Sequence, residues 1–365
     1  MNQYKICVLC SRFSQTGVPL AQIRLARALA TEGHEVDLIF GHSLPTDEIE
    51  KPKGVNVIKW KFRRAMQMLP SLVYYISRRK PEIIITAEDN TNAFLLLAAI
   101  MTRSKAKISA SSRISPETVY SDKFLSRGWV MKVFVSLVMH RADVWSCVSK
   151  DLVSSYEVIF PKRAFVNIYN IIVDKPSRSR LKENVSHPWL DGSHSNICIT
   201  AGTLHERKGL KYLIEAILIL NKKGLDAKLI ILGDGPQKLE LKKLVQTLGL
   251  SEKVSFEGIV NNPLKYFSRS AVFVLSSIRE GMPNVLIEGM LAGCTPVATD
   301  CPTGPREILE SSQYGYLVPM KDSAALAVGI ESALLTPVPS DILAEAIKAF
   351  HKDAVLAEHF RQLGI

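Results

Sequence analysis

The chemically most suggestive run in this 365-residue sequence is Glu280-Gly-Met-Pro-Asn-Val-Leu-Ile-Glu288, two carboxylates with seven residues between them. Pro283 suits a first helical turn and Gly293 the position just past a helix end, so the spacing predicts a helix over 283–292. Glu280 then belongs to the loop before that helix and Glu288 to its second turn. Free amides around Pro283 to Val285 would form a cradle for a phosphate. A paired-carboxylate glycosidase needs its two groups about 5 to 5.5 Å apart for retention or about 6.5 to 9.5 Å for inversion. A rise of about 1.5 Å per residue instead carries Glu288 away from the helix start, with Glu280 displaced the opposite way. The pair is better suited to gripping two separate parts of one extended ligand. On spacing alone, two glutamates that merely flank a helix start explain the run equally well.

A second run, Ala201-Gly-Thr-Leu-His-Glu-Arg-Lys-Gly209, follows a strand-like segment and precedes a helical one. Small residues at a strand end let a ligand approach the backbone, and Arg207 and Lys208 are the cations that neutralise a diphosphate. Solvated basic residues at a helix start are the ordinary alternative.

The elements that must position these runs alternate along the whole chain. Short apolar, β-branched segments predict strands near 5–9, 36–40, 55–58, 83–86, 107–110, 144–148 and 165–168, then at 197–201, 228–232, 254–256, 272–275 and 296–299. Helical periodicity predicts helices over 20–32, 210–221, 236–248 and 283–292. Such alternation defines an α/β protein with parallel sheets. The polar, proline-containing stretch 176–195 reads as a linker, giving domains over 1–175 and 196–344. Two Rossmann-like domains facing each other across a cleft follow, with ligands at the carboxyl ends of their strands.

Composition narrows the partners. Apolar residues make up 47% and charged residues 22%, as in a folded soluble protein. The longest purely apolar run, 94–101, falls far short of the roughly 18 to 20 residues of a membrane-spanning helix. Six cysteines without framework spacing point to a reducing, cytoplasmic setting, and Cys7 and Cys10 read as part of a buried first strand rather than a metal site. Residues 1–175 hold 25 Lys and Arg against 15 Asp and Glu, a net +10, which leaves 46 − 25 = 21 against 35 − 15 = 20, a net +1, for the remainder. The first half therefore expects an anionic partner, whether nucleic acid, an acidic membrane or a phosphate-bearing acceptor. Nucleic acid is disfavoured because aromatic platforms and a binding module are missing. The run Lys59-Trp-Lys-Phe-Arg-Arg-Ala-Met-Gln-Met-Leu69 would place Phe62, Met66 and Leu69 on one helical face, which suits either an anionic leaflet or an ordinary packed helix.

Taken together, the segments resemble the large retaining family of nucleotide-sugar glycosyltransferases numbered four, with the two-domain B-type fold. The resemblance covers nearly the whole chain. It is carried by Ser14-Gln-Thr-Gly17, Gly202 to Gly209, Gly233-Asp-Gly-Pro236, Phe256-Glu-Gly258, Val274-Leu-Ser-Ser277 leading into Glu280 to Glu288, and Ala292-Gly-Cys-Thr-Pro-Val-Ala-Thr-Asp300. It implies that Glu280 and the backbone of Gly281, Met282, Pro283 and Asn284 hold hydroxyls of the donor sugar, and that Glu288 holds the ribose. It further implies that Lys208 pairs with the donor diphosphate, that Gly17 lets its loop close over the same phosphates, and that Gly258 lines the base. A C-terminal helix within 345–365 would complete the first domain.

The sequence departs from the family twice. Thr203 stands where the family commonly has arginine after Gly202, and Arg207 is the replacement charge. The segment Ser111-Ser-Arg-Ile-Ser-Pro116 lacks the family's histidine, which leaves Arg113 as a substitute, with Asn92 beside it on the acceptor side. The resemblance implies a retaining transfer with no metal and no cofactor, the basic pair serving where others use a divalent cation. Asp300-Cys-Pro-Thr-Gly-Pro-Arg-Glu307 resembles bacterial members that extend lipid-linked or surface polysaccharides from UDP-linked, rather than GDP-linked, hexoses or N-acetylhexosamines. A peripheral enzyme at the inner face of the plasma membrane is expected. The alternatives are a nucleotide-sugar 2-epimerase of the same architecture and an inactive donor-binding relative.

Overall fold

The computed structural model describes residues 3–14, 17–43, 52–190 and 196–365. The chain divides into two compact units, one of residues 1–171 with 352–365 and the other of residues 172–351. In the first, seven parallel strands are β1 (Lys5–Arg12), β2 (Glu35–His42), β3 (Val55–Lys59), β4 (Ile83–Ala87), β5 (Lys107–Ser112), β6 (Val144–Cys147) and β7 (Val166–Asn167), in the order β3-β2-β1-β4-β5-β6-β7. In the second, β8 (Ile197–Ala201), β9 (Lys228–Leu232), β10 (Val254–Gly258), β11 (Val272–Leu275), β12 (Thr295–Thr299) and β13 (Tyr316–Val318) run β10-β9-β8-β11-β12-β13. Each sheet reverses its order once, between β1 and β4 and between β8 and β11. Those reversals leave crevices at the carboxyl ends of the strands, where loops with functional side chains collect.

Central strands read as continuous apolar runs because helices cover both faces. Ile6 to Cys10 of β1 are all buried. Cys7 and Cys10, three residues apart on one strand, point to opposite faces, and burial pushes each thiol up to about 12. The helix Gly17–Thr31 turns Ile23, Leu25, Ala26 and Leu29 onto the first sheet. The last helix, Lys352–Leu363, packs Val355, Leu356 and Leu363 into the same cluster, and Lys352 pairs with Glu32 at 2.5 Å. Residues 345–351 of the expected C-terminal segment stay with the second unit.

The stretch expected as a linker is different in the structure. Asp174 caps a helix, Lys175–Arg180, by accepting the Ser177 amide at 2.7 Å. Polar side chains of the second unit then hold the carbonyls that follow: Asn262 donates to Arg180 O at 2.9 Å, Ser268 to Leu181 O at 3.0 Å and Arg269 to Glu183 O at 3.0 Å. Segments fixed through their backbone carry no periodic apolar signal. Residues 191–195 of the expected linker lie outside the described residues.

Because Leu356 is buried in the first unit's core, Leu356→Ala should cost about 3 kcal/mol. Differential scanning calorimetry should show the loss in one transition, that of the unit containing residues 1–171. A shift confined to the other transition would contradict the assignment of this helix.

Candidate active site

The second unit's site is built where β8, β11 and β12 end. After β8 the chain makes a tight turn over Glu206–Lys208, closed by Gly209 at φ +61. The turn is sewn to the loop after β11: Ser276 Oγ donates to Lys208 O at 2.8 Å, and Ile278 N–H donates to Arg207 O at 2.7 Å. A Cβ at Gly209 would stand 2.1 Å from Ser276 O, so only glycine lets the two loops meet. The loop after β12 buttresses from the other side. Thr303 Oγ1 donates to Glu280 O at 2.5 Å, and Arg306 pairs with Asp300 through Nε at 3.1 Å.

These bonds bring Lys208 and Glu280, 72 residues apart, into contact. Lys208 Nζ donates to Glu280 Oε1 at 2.5 Å, Ser277 Oγ donates to the same oxygen at 2.6 Å, and Arg207 Nη1 lies 3.7 Å from Oε2. The side chains of Lys208 and Glu280 are 13% and 7% exposed, whereas that of Arg207 is half exposed. Chemically this is a fixed cation next to a carboxylate that accepts from hydroxyls, the combination required to hold a sugar phosphate.

The remaining residues named from the sequence fall around this pair. Gly202 and Thr203 continue from β8 and line a small pocket with Lys208 and Ser277. Gly233 comes so close to Gly202 that a Cβ there would meet its carbonyl at 2.0 Å, and Gly233 N–H donates to the carbonyl of Gly258, at the end of β10, at 2.6 Å. Gly281 and Met282 form the loop leading to Pro283, which caps a helix over Asn284–Leu291, one residue shorter at each end than the spacing predicts. Glu288 is buried on that helix at 6% exposure. The free-amide cradle is smaller than expected. Asn284 N–H donates to Met282 O and Leu286 N–H to Pro283 O, while Pro283 has no N–H. Among the described residues, Val285 is the amide of that set left without a backbone partner.

In the first unit, strand ends surround a cavity of about 780 Å³. Arg113, just after β5, lines it; its guanidinium donates to Asn170. Burial lowers the Arg113 pKa to about 10, so it stays protonated at neutral pH. Asn92 does not belong to this wall. It is fully buried, and its amide donates to Ser111 O at 3.0 Å, a role in joining a helix to β5. Gly17 opens the helix Gly17–Thr31, while Gln15 and Thr16 of the loop before it lie outside the described residues. Glu88, which the sequence reading missed, sits in the cavity at φ +75, accepts from the Ser11 hydroxyl, and is pushed up in pKa by burial. The signal was available: Arg12, Glu88 and Arg113 each stand at a strand's carboxyl end.

The segment 59–69 is not one amphipathic helix. Lys59 ends β3, and the Trp60 and Phe62 amides continue pairing to Phe40 O and Gly41 O at 2.8 Å each. Only the turn Ala65–Met68 is helical before the next helix begins at Leu69, and Met68 is buried. Backbone pairing with β2 overrides the apolar spacing.

With this geometry in place, residues 171–352 match the family model described as Glycosyl transferases group 1. Those residues are similar to that family, and the chain has the glycosyltransferase B-type fold of two Rossmann-like domains. Relatives include an uncharacterized glycosyltransferase of Methanocaldococcus jannaschii, 29% identical over 70% of this chain and 64% of its own length. Another is the N-acetylgalactosamine-N,N'-diacetylbacillosaminyl-diphospho-undecaprenol 4-alpha-N-acetylgalactosaminyltransferase of Campylobacter jejuni, 30% identical over 67% of this chain and 65% of its own. The matches thus span slightly under two thirds of both relatives. Among solved structures, Anabaena HepE in complex with UDP and glucose has a TM-score of 0.75 at 17% identity, covering 99% of this chain and all of that one.

Gly209→Ala should force the turn off Ser276 and separate Lys208 from Glu280. Thermal denaturation should fall by several degrees and UDP binding, measured by titration calorimetry, should weaken at least tenfold. Unchanged UDP affinity would mean the turn does not set the site.

Proposed function

We propose that this protein is a retaining glycosyltransferase that moves a hexose or N-acetylhexosamine from a UDP-sugar to a lipid-linked glycan acceptor, without metal or cofactor. The observation that carries the reading is the contact of Lys208 and Arg207 with Glu280 at the carboxyl ends of β8 and β11. Departure of a nucleoside diphosphate builds negative charge, and cations already fixed in place stabilise it without reorganising. Lys208 and Arg207 fill this role; Asp300, engaged by Arg306, takes no part. Glu280 and the loop Gly281 to Asn284 hold the sugar hydroxyls, so that binding energy from the sugar orients its anomeric carbon. Glu288 takes the ribose, and Gly202, Thr203 and Gly258 allow close approach of the nucleotide. The acceptor enters on the side of the leaving phosphate, which gives retention. The C. jejuni relative, named for a diphospho-undecaprenol acceptor, supports a lipid-linked substrate.

A peripheral position at the inner face of the plasma membrane fits such an acceptor. No helix among the described residues is long and apolar enough to cross a membrane. The surface that suits an anionic leaflet is the helix Arg127–Val138 and the turn before it, not residues 59–69. Phe124, Leu125, Val130, Val133 and Leu137 are exposed there, with Lys123 and Arg127 beside them. Each basic side chain at an anionic surface contributes on the order of 1 kcal/mol, and inserted apolar groups add to it.

Glu288→Ala should raise the donor KM several-fold with kcat little changed, while Glu280→Ala should lower kcat at saturating donor by 100-fold or more. Turnover should persist in excess chelator. Full activity of both variants at limiting donor would refute the site, and loss in chelator restored by magnesium would refute the metal-free mechanism.

Liposome sedimentation checks the membrane surface. Wild-type protein should bind vesicles containing phosphatidylglycerol and release as salt is raised, and Leu125→Asp with Leu137→Asp should cut binding at least fivefold. Equal binding to neutral and anionic vesicles would rule out the charged component.

A further inference from the structure

Part of the first unit's positive charge is gathered at one place. Five arginines line its 780 Å³ cavity: Arg12 at the end of β1, Arg63 and Arg64 after β3, Arg113 after β5, and Arg127 at the start of the helix Arg127–Val138. They come from four separate stretches of chain, so no single sequence run encodes the cluster. Against them stand two carboxylates. Asp89 is fully engaged, accepting from Ser112 at 2.9 Å, Tyr120 at 2.7 Å and Tyr156 at 3.0 Å. Glu88 is the one acid left to face the arginines, and its burial works against ionisation. Arg63, Arg64 and Arg127 have no ion-pair partner among the described residues and are exposed at the cavity rim. Deeper in the wall, the Nε of Arg113 and the Oγ1 of Thr91, a residue only 1% exposed, are buried polar atoms without a partner. Buried donors are left open at a cost unless something else satisfies them.

We infer that this cavity is an anion-recognition site that holds the phosphate or diphosphate ester of the acceptor, with the arginine rim gripping phosphoryl oxygens and the Glu88 floor taking sugar hydroxyls. The inference rests on the acceptor-side reading of the first unit and gives it a chemical class. A single carboxylate of an acidic sugar needs one guanidinium fork, whereas a diphosphate diester presents two charges and several oxygens to several forks. Planar arginine is also the side chain suited to this task, since its donors match two phosphoryl oxygens at once. A bilayer surface does not explain the cluster, because Arg113 and Thr91 lie inside the wall, out of reach of headgroups packed in a plane. The cavity instead joins that surface through one shared element: Arg127 and Met131 of the helix Arg127–Val138 line it, while Val130, Val133 and Leu137 of the same helix face outward. An acceptor whose lipid stays in the leaflet would place its phosphates beside that helix.

Inorganic pyrophosphate is the probe, titrated calorimetrically into the full chain already saturated with UDP, so that the donor site is occupied. Wild type should bind it, and Arg63→Gln with Arg64→Gln should weaken binding at least tenfold; Arg127→Gln alone should weaken it less, and both variants should keep the wild-type melting temperature. UDP affinity and binding to phosphatidylglycerol vesicles should stay unchanged in the double variant. Unaltered pyrophosphate affinity would overturn the inference. A matching loss of UDP affinity would assign the arginines to the donor, and a matching loss of vesicle binding would assign them to headgroups; either overturns it. Because the readout needs no turnover, a protein that binds pyrophosphate through these arginines but transfers no sugar would refute the proposed activity while leaving this site standing.

Discussion

The ion pair of Lys208 with Glu280 is the constraint around which the second unit is arranged. Both side chains are largely removed from water, and desolvating two charges costs several kcal/mol per ion unless geometry and further hydrogen bonds offset it. The offset is visible: Ser277 donates to the carboxylate, Arg207 adds a second cation, and Ser276 locks the backbone carbonyl of Lys208 itself. Such a pair contributes little to net stability. Under the proposed function its value is position, since a cation held by a carboxylate and a backbone clamp needs no rearrangement to meet a dianion.

The close approach of loops follows from that requirement. Gly209 against Ser276 and Gly233 against Gly202 are contacts that any Cβ would break. Helix Asn284–Leu291 is seated in the same way: Gly289 lies against the Phe273 ring of β11, where a Cβ would come within 2.5 Å, and this close packing fixes the depth at which Glu288 sits. Burial of apolar strands thus sets the coordinates of polar side chains at their ends. The first unit uses the same topology for a different end, an arginine-lined cavity rather than a loop clamp.

Much of this was legible in the sequence. β8, β9 and β11 have the bounds that their β-branched runs predict, because a strand buried on both faces is apolar throughout. The chemical pairing of Lys208 with Glu280 was not legible, since 72 residues separate them and only the β8-to-β11 neighbourhood joins them. β13 was missed: three residues at a sheet edge, Tyr316–Val318, are too few for a pattern. Residues 59–69 misled because Phe62, Met66 and Leu69 recur at helical spacing while the Trp60 and Phe62 amides pair with β2. Asn92 misled because a buried amide that serves a backbone carbonyl looks, in one sequence, like an amide that serves a ligand. The arginine cavity was visible only as net charge, its members being scattered from residue 12 to residue 127.

The central claim is that fixed cations at Lys208 and Arg207 meet the second phosphate of the donor nucleotide. Comparing UDP and UMP affinities in wild type and in Lys208→Met, by titration calorimetry in excess chelator, addresses it with no acceptor needed. The account predicts that wild type prefers UDP to UMP by at least tenfold and that the preference disappears in the variant while UMP affinity is kept. A preference that survives loss of Lys208, or that appears only when magnesium is supplied, would contradict it.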